Sequence, residues 1–255
     1  MTVLRTFGRT VAAEWLRLVT VRSTWVLLVL LALAVTALGA LAGYDAAQGA
    51  GFDAPARTAW DDARFTLLFL LFGLVALSCV ATASDYGTGG IVPTLQWTPR
   101  RGVLLAARTV VVAGVSVLVG MLLLTVAAAL VAVQADGLGL SPDVGASTLG
   151  DTALVVGSGT VMGVGLGLLT RSTAGALVTA IGLLVVLPLV LGNLPYETLR
   201  TLAEHLPGTG AVVVVFGEGP SPETTAAQGR LTLLAWAAGT LLLGGLRLLR
   251  TDATR

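Results

Sequence analysis

The chain has 255 residues, 55% of them hydrophobic and only 11% charged, with a mean hydropathy of +0.90, where an ordinary soluble domain carries about 25% charged residues; a water-soluble globular protein is excluded. All 15 basic residues are arginine, so a phosphate loop ending in GK[ST], a Schiff-base lysine and a kinase-type lysine are excluded as well. One cysteine, Cys79, and one histidine, His205, are too few for a disulfide framework or a His/Cys metal cluster, and a net charge of +1 with 5% aromatic residues gives no basis for a nucleic-acid partner.

In chain order, Leu4, Phe7, Val11, Trp15 and Leu18 recur at helical spacing, with Arg5, Arg9 and Arg17 on other faces. This predicts an amphipathic helix in the membrane interface, apolar side in the acyl boundary and arginines toward headgroups. The alternative is an extension of the first span packed on protein. Glu14 lies at the edge of the stripe, where Arg17 or Arg22 can neutralise it, as a plain ion pair or as part of a coupling device.

A bilayer core about 30 Å thick takes roughly 20 apolar residues per helix. Six stretches meet that length: 24–43, 65–83, 103–133, 152–170, 173–194 and 231–246. The fold class expected is therefore an all-α membrane protein of one domain, residues 1–255. The first apolar run is too long for a cleaved signal segment and reads as a retained span. The third exceeds one crossing, so its first turns, with Arg108, project from the membrane or tilt. Only Arg171 and its Ser/Thr neighbours separate the fourth and fifth, a tight hairpin. No charged residue or histidine lies near mid-depth, which argues against a proton-coupled carrier and against intramembrane hydrolysis. Gly157, Gly159, Gly163, Gly165 and Gly167, like Gly39 and Gly43, fit small-xxx-small helix packing, because no strand precedes them as a dinucleotide fingerprint requires. Ser78, Cys79, Ser158 and Thr160 satisfy backbone carbonyls or line a weakly polar path. Pro188 kinks the fifth span.

Residues 84–102 read SDYGTGGIVPTLQWTPRRG. Ser84 or Asp85 is a candidate helix cap, while Gly87, Gly89, Gly90 and Pro93 limit the segment to a short, irregular helix. It ends at Thr98-Pro99-Arg100-Arg101, with the arginines facing anionic headgroups. Ile91, Leu95 and Trp97 leave apolar surface exposed unless membrane or protein covers it. Farther on, 196–206 forms a short amphipathic helix broken by Pro207-Gly208. The run 211–216 is too short to span and lies in the outer interface or dips back lined by protein. His205 reads as a surface or interface residue.

Six spans put both ends of the chain on one side. Placing them in the cytoplasm puts Arg5, Arg9, Arg17, Arg22, Arg100, Arg101, Arg108, Arg171, Arg247, Arg250 and Arg255 inside, against Arg57, Arg64, Arg200 and Arg230 outside. That split satisfies the positive-inside rule. Acids run the other way, with only Glu14, Asp85 and Asp252 inside.

Three features resemble the ABC type-2 permeases, the membrane subunits of bacterial ATP-binding cassette exporters, over essentially the whole chain. Glu14-Trp15, Arg17, Arg22-Ser23 and Trp25 are similar to that family's amphipathic lead into the first span. Asp85-Tyr86, Gly89, Thr98-Pro99-Arg100-Arg101 and Leu105-Ala106-Ala107-Arg108 are similar to its pattern between spans two and three. Six spans with a helical outer segment before the last complete the likeness. Asp85 stands where glutamate is more usual, Gly87 where a basic residue is common and Gly90 where threonine is frequent, so a salt bridge from position 87 is lost. The resemblance implies a permease without an ATP site of its own, non-enzymatic and free of cofactors and metal. ATP and magnesium would bind two copies of a cytoplasmic ATPase, and a second permease half, identical or related, would complete the complex. Asp85, Tyr86, Gly89, Ile91, Leu95 and Trp97 would couple to the ATPase. Glu14, Trp15, Arg17, Arg22, Trp25, Pro99, Arg100, Arg101 and Arg108 would sit at the membrane interface of the cytoplasmic membrane. An amphipathic or apolar cargo follows from the uncharged spans. The competing expectations are a non-transporting membrane scaffold or immunity protein and an ATPase-independent carrier.

Overall fold

In lipid an unpaired backbone N–H or C=O costs several kcal/mol, so a chain this apolar must satisfy its backbone inside helices. The computed structural model describes residues 3–49, 57–97, 100–217 and 224–250, and no strand occurs among them. In chain order the helices are α1 (Val3–Thr20), α2 (Arg22–Ala47), α3 (Ala59–Ala63), α4 (Thr66–Gly87), α5 (Ile91–Trp97), α6 (Arg101–Gln134), α7 (Pro142–Thr170), α8 (Thr173–Gly192), α9 (Glu197–Glu204), α10 (Pro207–Phe216) and α11 (Ala226–Arg250). Among the described residues α2, α4, α6, α7, α8 and α11 are long and apolar enough to cross a membrane. The protein is an all-helical, multi-pass membrane protein. The six helices coincide with the six apolar stretches and overrun most of them, because polar turns such as Pro142–Asp151 and Ser84–Gly87 continue the same helices beyond the apolar limit.

Helix α7 forms the centre, packed between α4 and α11. Glycine costs about 1 kcal/mol per residue in a helix in water, but in lipid the helix is enforced and the missing side chain permits close approach. A Cβ on Gly159, Gly163 or Gly167 would collide with Leu71, Ser78 or Thr82 of α4. On the opposite side Gly165 and Gly244 face each other so closely that a Cβ on Gly165 would fall inside the Thr240 backbone. The small-residue spacing thus serves contacts within one chain. Gly39 of α2 meets Ala127 of α6, where a Cβ would stand 2.9 Å from the Ala127 Cα. Buried hydroxyls return their protons to their own helices: Ser78 Oγ donates to Val75 O at 2.7 Å and Thr160 Oγ1 to Val156 O at 2.8 Å.

Helix α8 is the least buried of the six. Pro188 has no N–H to give to the Leu184 carbonyl and its ring would clash there, and α8 takes a π turn over Gly182–Val186 in the turn before it. Gly208, near the start of α10, packs directly on the Leu184 carbonyl. Pro207 therefore opens a helix as well as ending the preceding segment, and α10 is buried from Pro207 through Ala211. Within 211–216, Ala211, Val213, Val214 and Val215 are buried against protein. His205 is exposed; its Nδ1 lies 2.9 Å from Thr201 O, and its own carbonyl accepts Trp236 Nε1–H at 2.8 Å.

At the end of the bundle holding α3, Arg57 grips Asp62 (2.7 Å), Arg64 reaches Asp61 and Thr148, and Arg230 meets Asp151 at 2.9 Å. Arg17, Arg101, Arg108 and Arg171 lie at the opposite end.

Close packing at α7 gives a direct prediction. Gly165→Val would drive α7 and α11 apart and abolish the folded, monodisperse protein in detergent. Gly114→Ala, at a helical glycine with open space around it, should leave the folded protein and its thermal midpoint close to wild type.

Candidate functional site

A helix of 34 residues is about 51 Å long at 1.5 Å per residue, well beyond a 30 Å hydrocarbon core. The first turns of α6 carry Arg108, and there its side chain is enclosed by protein groups. Arg108 is 2% exposed, and a guanidinium so buried is tolerated only with paired, hydrogen-bonded anions. Its Nε donates to Glu14 Oε2 and its Nη2 to Glu14 Oε1, both at 3.0 Å, and Nη2 also donates to Asp85 Oδ2 at 2.8 Å. Arg17 closes the ring: Nη1 donates to the same Asp85 Oδ2 at 2.6 Å and lies 3.4 Å from Glu14 Oε2, while Nη2 donates to the Ala81 carbonyl. Two cations and two anions alternate around a closed, neutral circuit that joins α1, the end of α4 and the start of α6.

Each helix places its member by simple periodicity. On α1 Thr10, Glu14 and Leu18, four residues apart, are the side chains turned into the bundle. The apolar stripe is thereby split: Leu18 is buried, whereas Leu4 and Trp15 remain on the surface. Arg17 lies three residues after Glu14, close enough on the helix surface for the two to meet. Burial and the neighbouring Arg108 charge lower the Arg17 pKa from its ordinary value, opposed by Asp85 and Glu14. It remains a cation at neutral pH because a guanidinium is not deprotonated in proteins.

Asp85 does not cap a new helix. Ser84 and Asp85 both belong to the last turn of α4, and the Asp85 carboxylate faces the ring instead of a partner. Tyr86 also turns inward, against an apolar cluster of Val112, Val164, Leu168 and Leu248. Its ring lies under the Arg171 guanidinium, 5.3 Å from ring centre to charge. Gly89 has φ +71°, a left-handed conformation that glycine adopts without strain, and it reverses the chain into α5. Ile91 of α5 is buried; Thr88, Pro93 and Gln96 are exposed. The backbone at Leu95 and Trp97 belongs to α5, but their side chains, like all of Pro99, lie outside the described residues. A groove of about 270 Å³ separates α1, α5 and α6, with Thr10, Glu14, Arg17, Pro93, Thr94 and Leu104 on its walls.

The other interface residues are spread around this end. Arg22 and Arg100 are exposed. Trp25 is exposed and donates Nε1–H to Val19 O at 2.7 Å, bracing the α1–α2 corner. Arg101 Nη1 donates to the Leu248 and Leu249 carbonyls at 3.0 and 3.3 Å, meeting the negative end of α11 with a cation. Arg22, an alternative partner for Glu14 by sequence, takes no part in the ring.

Sequence reasoning missed the Glu14–Arg108 pairing, which spans 94 positions. A signal was present: the arginine-rich side has almost no acids. Any arginine buried there must therefore use Glu14 or Asp85. It also missed Arg171 as more than a hairpin link. Arg171 caps α7 at φ +54°, a conformation that costs a non-glycine residue roughly 1–2 kcal/mol.

Among the described residues no group of three or more His, Cys, Asp or Glu side chains is placed to hold a metal ion. The ring joins three helices: Glu14 accepts guanidinium bonds on both oxygens and Asp85 accepts two on Oδ2. Compared with known proteins, the chain matches no family model and no curated relative.

Removing one partner of a buried pair costs about 3–5 kcal/mol, whereas replacing both is far cheaper. Arg108→Gln alone should therefore lower the thermal midpoint in detergent markedly, and Glu14→Gln with Arg108→Gln should recover much of the loss. Additive losses in that double-mutant cycle would show that the two side chains do not interact.

Proposed function

We propose that the chain is the permease subunit of an ATP-binding cassette exporter, one transmembrane domain moving an apolar or amphipathic molecule across the cytoplasmic membrane. The observation that carries this reading is the charge ring at the root of the α4–α5 connection. A pull or push on that connection reaches Asp85 six residues before α5, and through the ring it reaches α1 and α6 together. Such a joint suits a subunit whose helices are moved by a separate machine. In this reading α5 is the coupling helix, and α1 lies in the cytoplasmic interface with Leu4 and Trp15 toward lipid. The helices α9 and α10 form the outer segment. Both ends of the chain face the cytoplasm, as the arginine distribution favours.

The division of labour follows the lysine-free sequence: ATP and magnesium bind two copies of a partner ATPase, and a second permease half completes the complex. Because Asp85 and Tyr86 face inward, the docking surface narrows to the exposed Thr88, Pro93 and Gln96, and the ring residues act as positioning groups behind it. An apolar cargo is supported by a cleft of about 300 Å³ between α4 and α8, walled by Phe72, Gly73, Ala76, Leu177, Ile181 and Leu184.

The reading is tested by co-expression with an ATP-binding cassette subunit encoded beside the gene. The wild-type chain should retain the ATPase through purification and transport in an ATP-dependent manner. Thr88→Arg with Gln96→Arg should cut co-purification at least tenfold, and Arg230→Gln, on the opposite end, should leave it unchanged. A wild-type chain that binds no ATPase and confers its phenotype without nucleotide would contradict the proposal and favour the scaffold reading.

A further inference from the structure

The hairpin between α7 and α8 turns on Arg171, the only non-glycine residue with positive φ among those described; Gly49, Gly89, Gly137 and Gly217 hold the others. A sequence with 32 glycines places arginine where glycine would remove the strain, so the side chain is what the position requires. That side chain stacks on Tyr86, and among the described residues it makes no ion pair or side-chain hydrogen bond. Its Nε is buried without an acceptor, and the Tyr86 hydroxyl beside it is buried without a partner. Among the described residues the acids at this end, Glu14 and Asp85, are already bound by Arg17 and Arg108. Arg247, in the last turn of α11, adds a second positive charge acting on the Tyr86 ring.

A partly buried cation with no anion among the described residues calls for one from outside. We propose that Arg171, stacked on Tyr86, is a binding site for a phosphate group, supplied by the headgroup of a membrane lipid. Three physical facts select phosphate. The planar guanidinium fork matches its oxygens. The connection between two membrane-spanning helices lies at headgroup depth. The Tyr86 ring, held from behind by the buried Val112, Val164, Leu168 and Leu248, is a fixed apolar surface under the guanidinium, which suits the glycerol of a lipid better than a free ion. A small turn of the Arg171 side chain brings its unmatched Nε edge to the ligand, with the aromatic ring as the platform. The site does not depend on the exporter reading, because any membrane presents such headgroups to it.

The test uses the full-length chain in detergent, titrated with phosphatidylglycerol and followed by native mass spectrometry. One tightly held lipid is expected, with affinity at least tenfold lower in Arg171→Gln and unchanged in Arg230→Gln. Arg171→Gly separates binding from folding: it relieves the backbone, so its thermal midpoint should be no lower than wild type while the lipid is lost. Tyr86→Phe, which keeps the platform, should retain the lipid. Millimolar inorganic phosphate distinguishes the sources. Failure to displace the lipid supports the headgroup, and full displacement supports the same phosphate site with a free anion as occupant. Equal phosphatidylglycerol affinity in wild type, Arg171→Gln and Arg171→Gly would overturn the proposal.

Discussion

The guanidinium of Arg108 is the constraint around which one end of this protein is organised. Removed from water, it needs two carboxylates in fixed positions, and those carboxylates lie on two other helices. Once Glu14 and Asp85 answer Arg108, α1 can lie only along α6, and α4 must continue past the apolar limit of its span far enough to deliver Asp85. Arg17 balances the second negative charge and takes up the Ala81 carbonyl, so no charge in the cluster is left unmatched. The face of α1 carrying Thr10, Glu14 and Leu18 is thereby turned to protein, leaving Leu4 and Trp15 on the outside.

Below this charged collar the physics changes from charge to shape. The contacts of α7 with α4 and α11 rely on glycines that let backbones approach, and they form a dense centre in which Cys79 Sγ–H points at the Gly163 carbonyl. Helices α2 and α8 cover that centre loosely, and α8 is interrupted by the π turn that precedes Pro188. The molecule thus combines a tight three-helix centre, two more exposed spans, and an end where an ionic ring links three helices. That combination suits motion delivered at the α4–α5 connection and expressed in the more loosely held helices, which is the physical content of the proposed permease role.

Much of this architecture was readable from the sequence because hydropathy and small-residue spacing are local signals. Six spans, the tight hairpin at Arg171 and the glycine faces all follow from a few adjacent turns. The boundary of α4 was not readable, since Ser84-Asp85-Tyr86-Gly87 has the composition of a loop and is held helical by distant partners. The ring was hidden for the same reason: Glu14 and Arg108 are far apart in sequence, and periodicity within α1 gives only which face Glu14 occupies. Pro207 illustrates the opposite error, a helix breaker that becomes a helix opener once its preceding residue is extended. The strain at Arg171 lies in the backbone conformation, which composition does not encode.

Amide hydrogen exchange of α1 tests the central claim most directly, because α1 is the element held to the bundle through the ring. In the full-length protein in detergent, Arg108→Gln should speed exchange across residues 10–18 at least tenfold while α7, closed by glycine packing, keeps its wild-type protection. Unchanged protection of α1 in that variant would mean that apolar contacts hold the helix and that the ring is incidental.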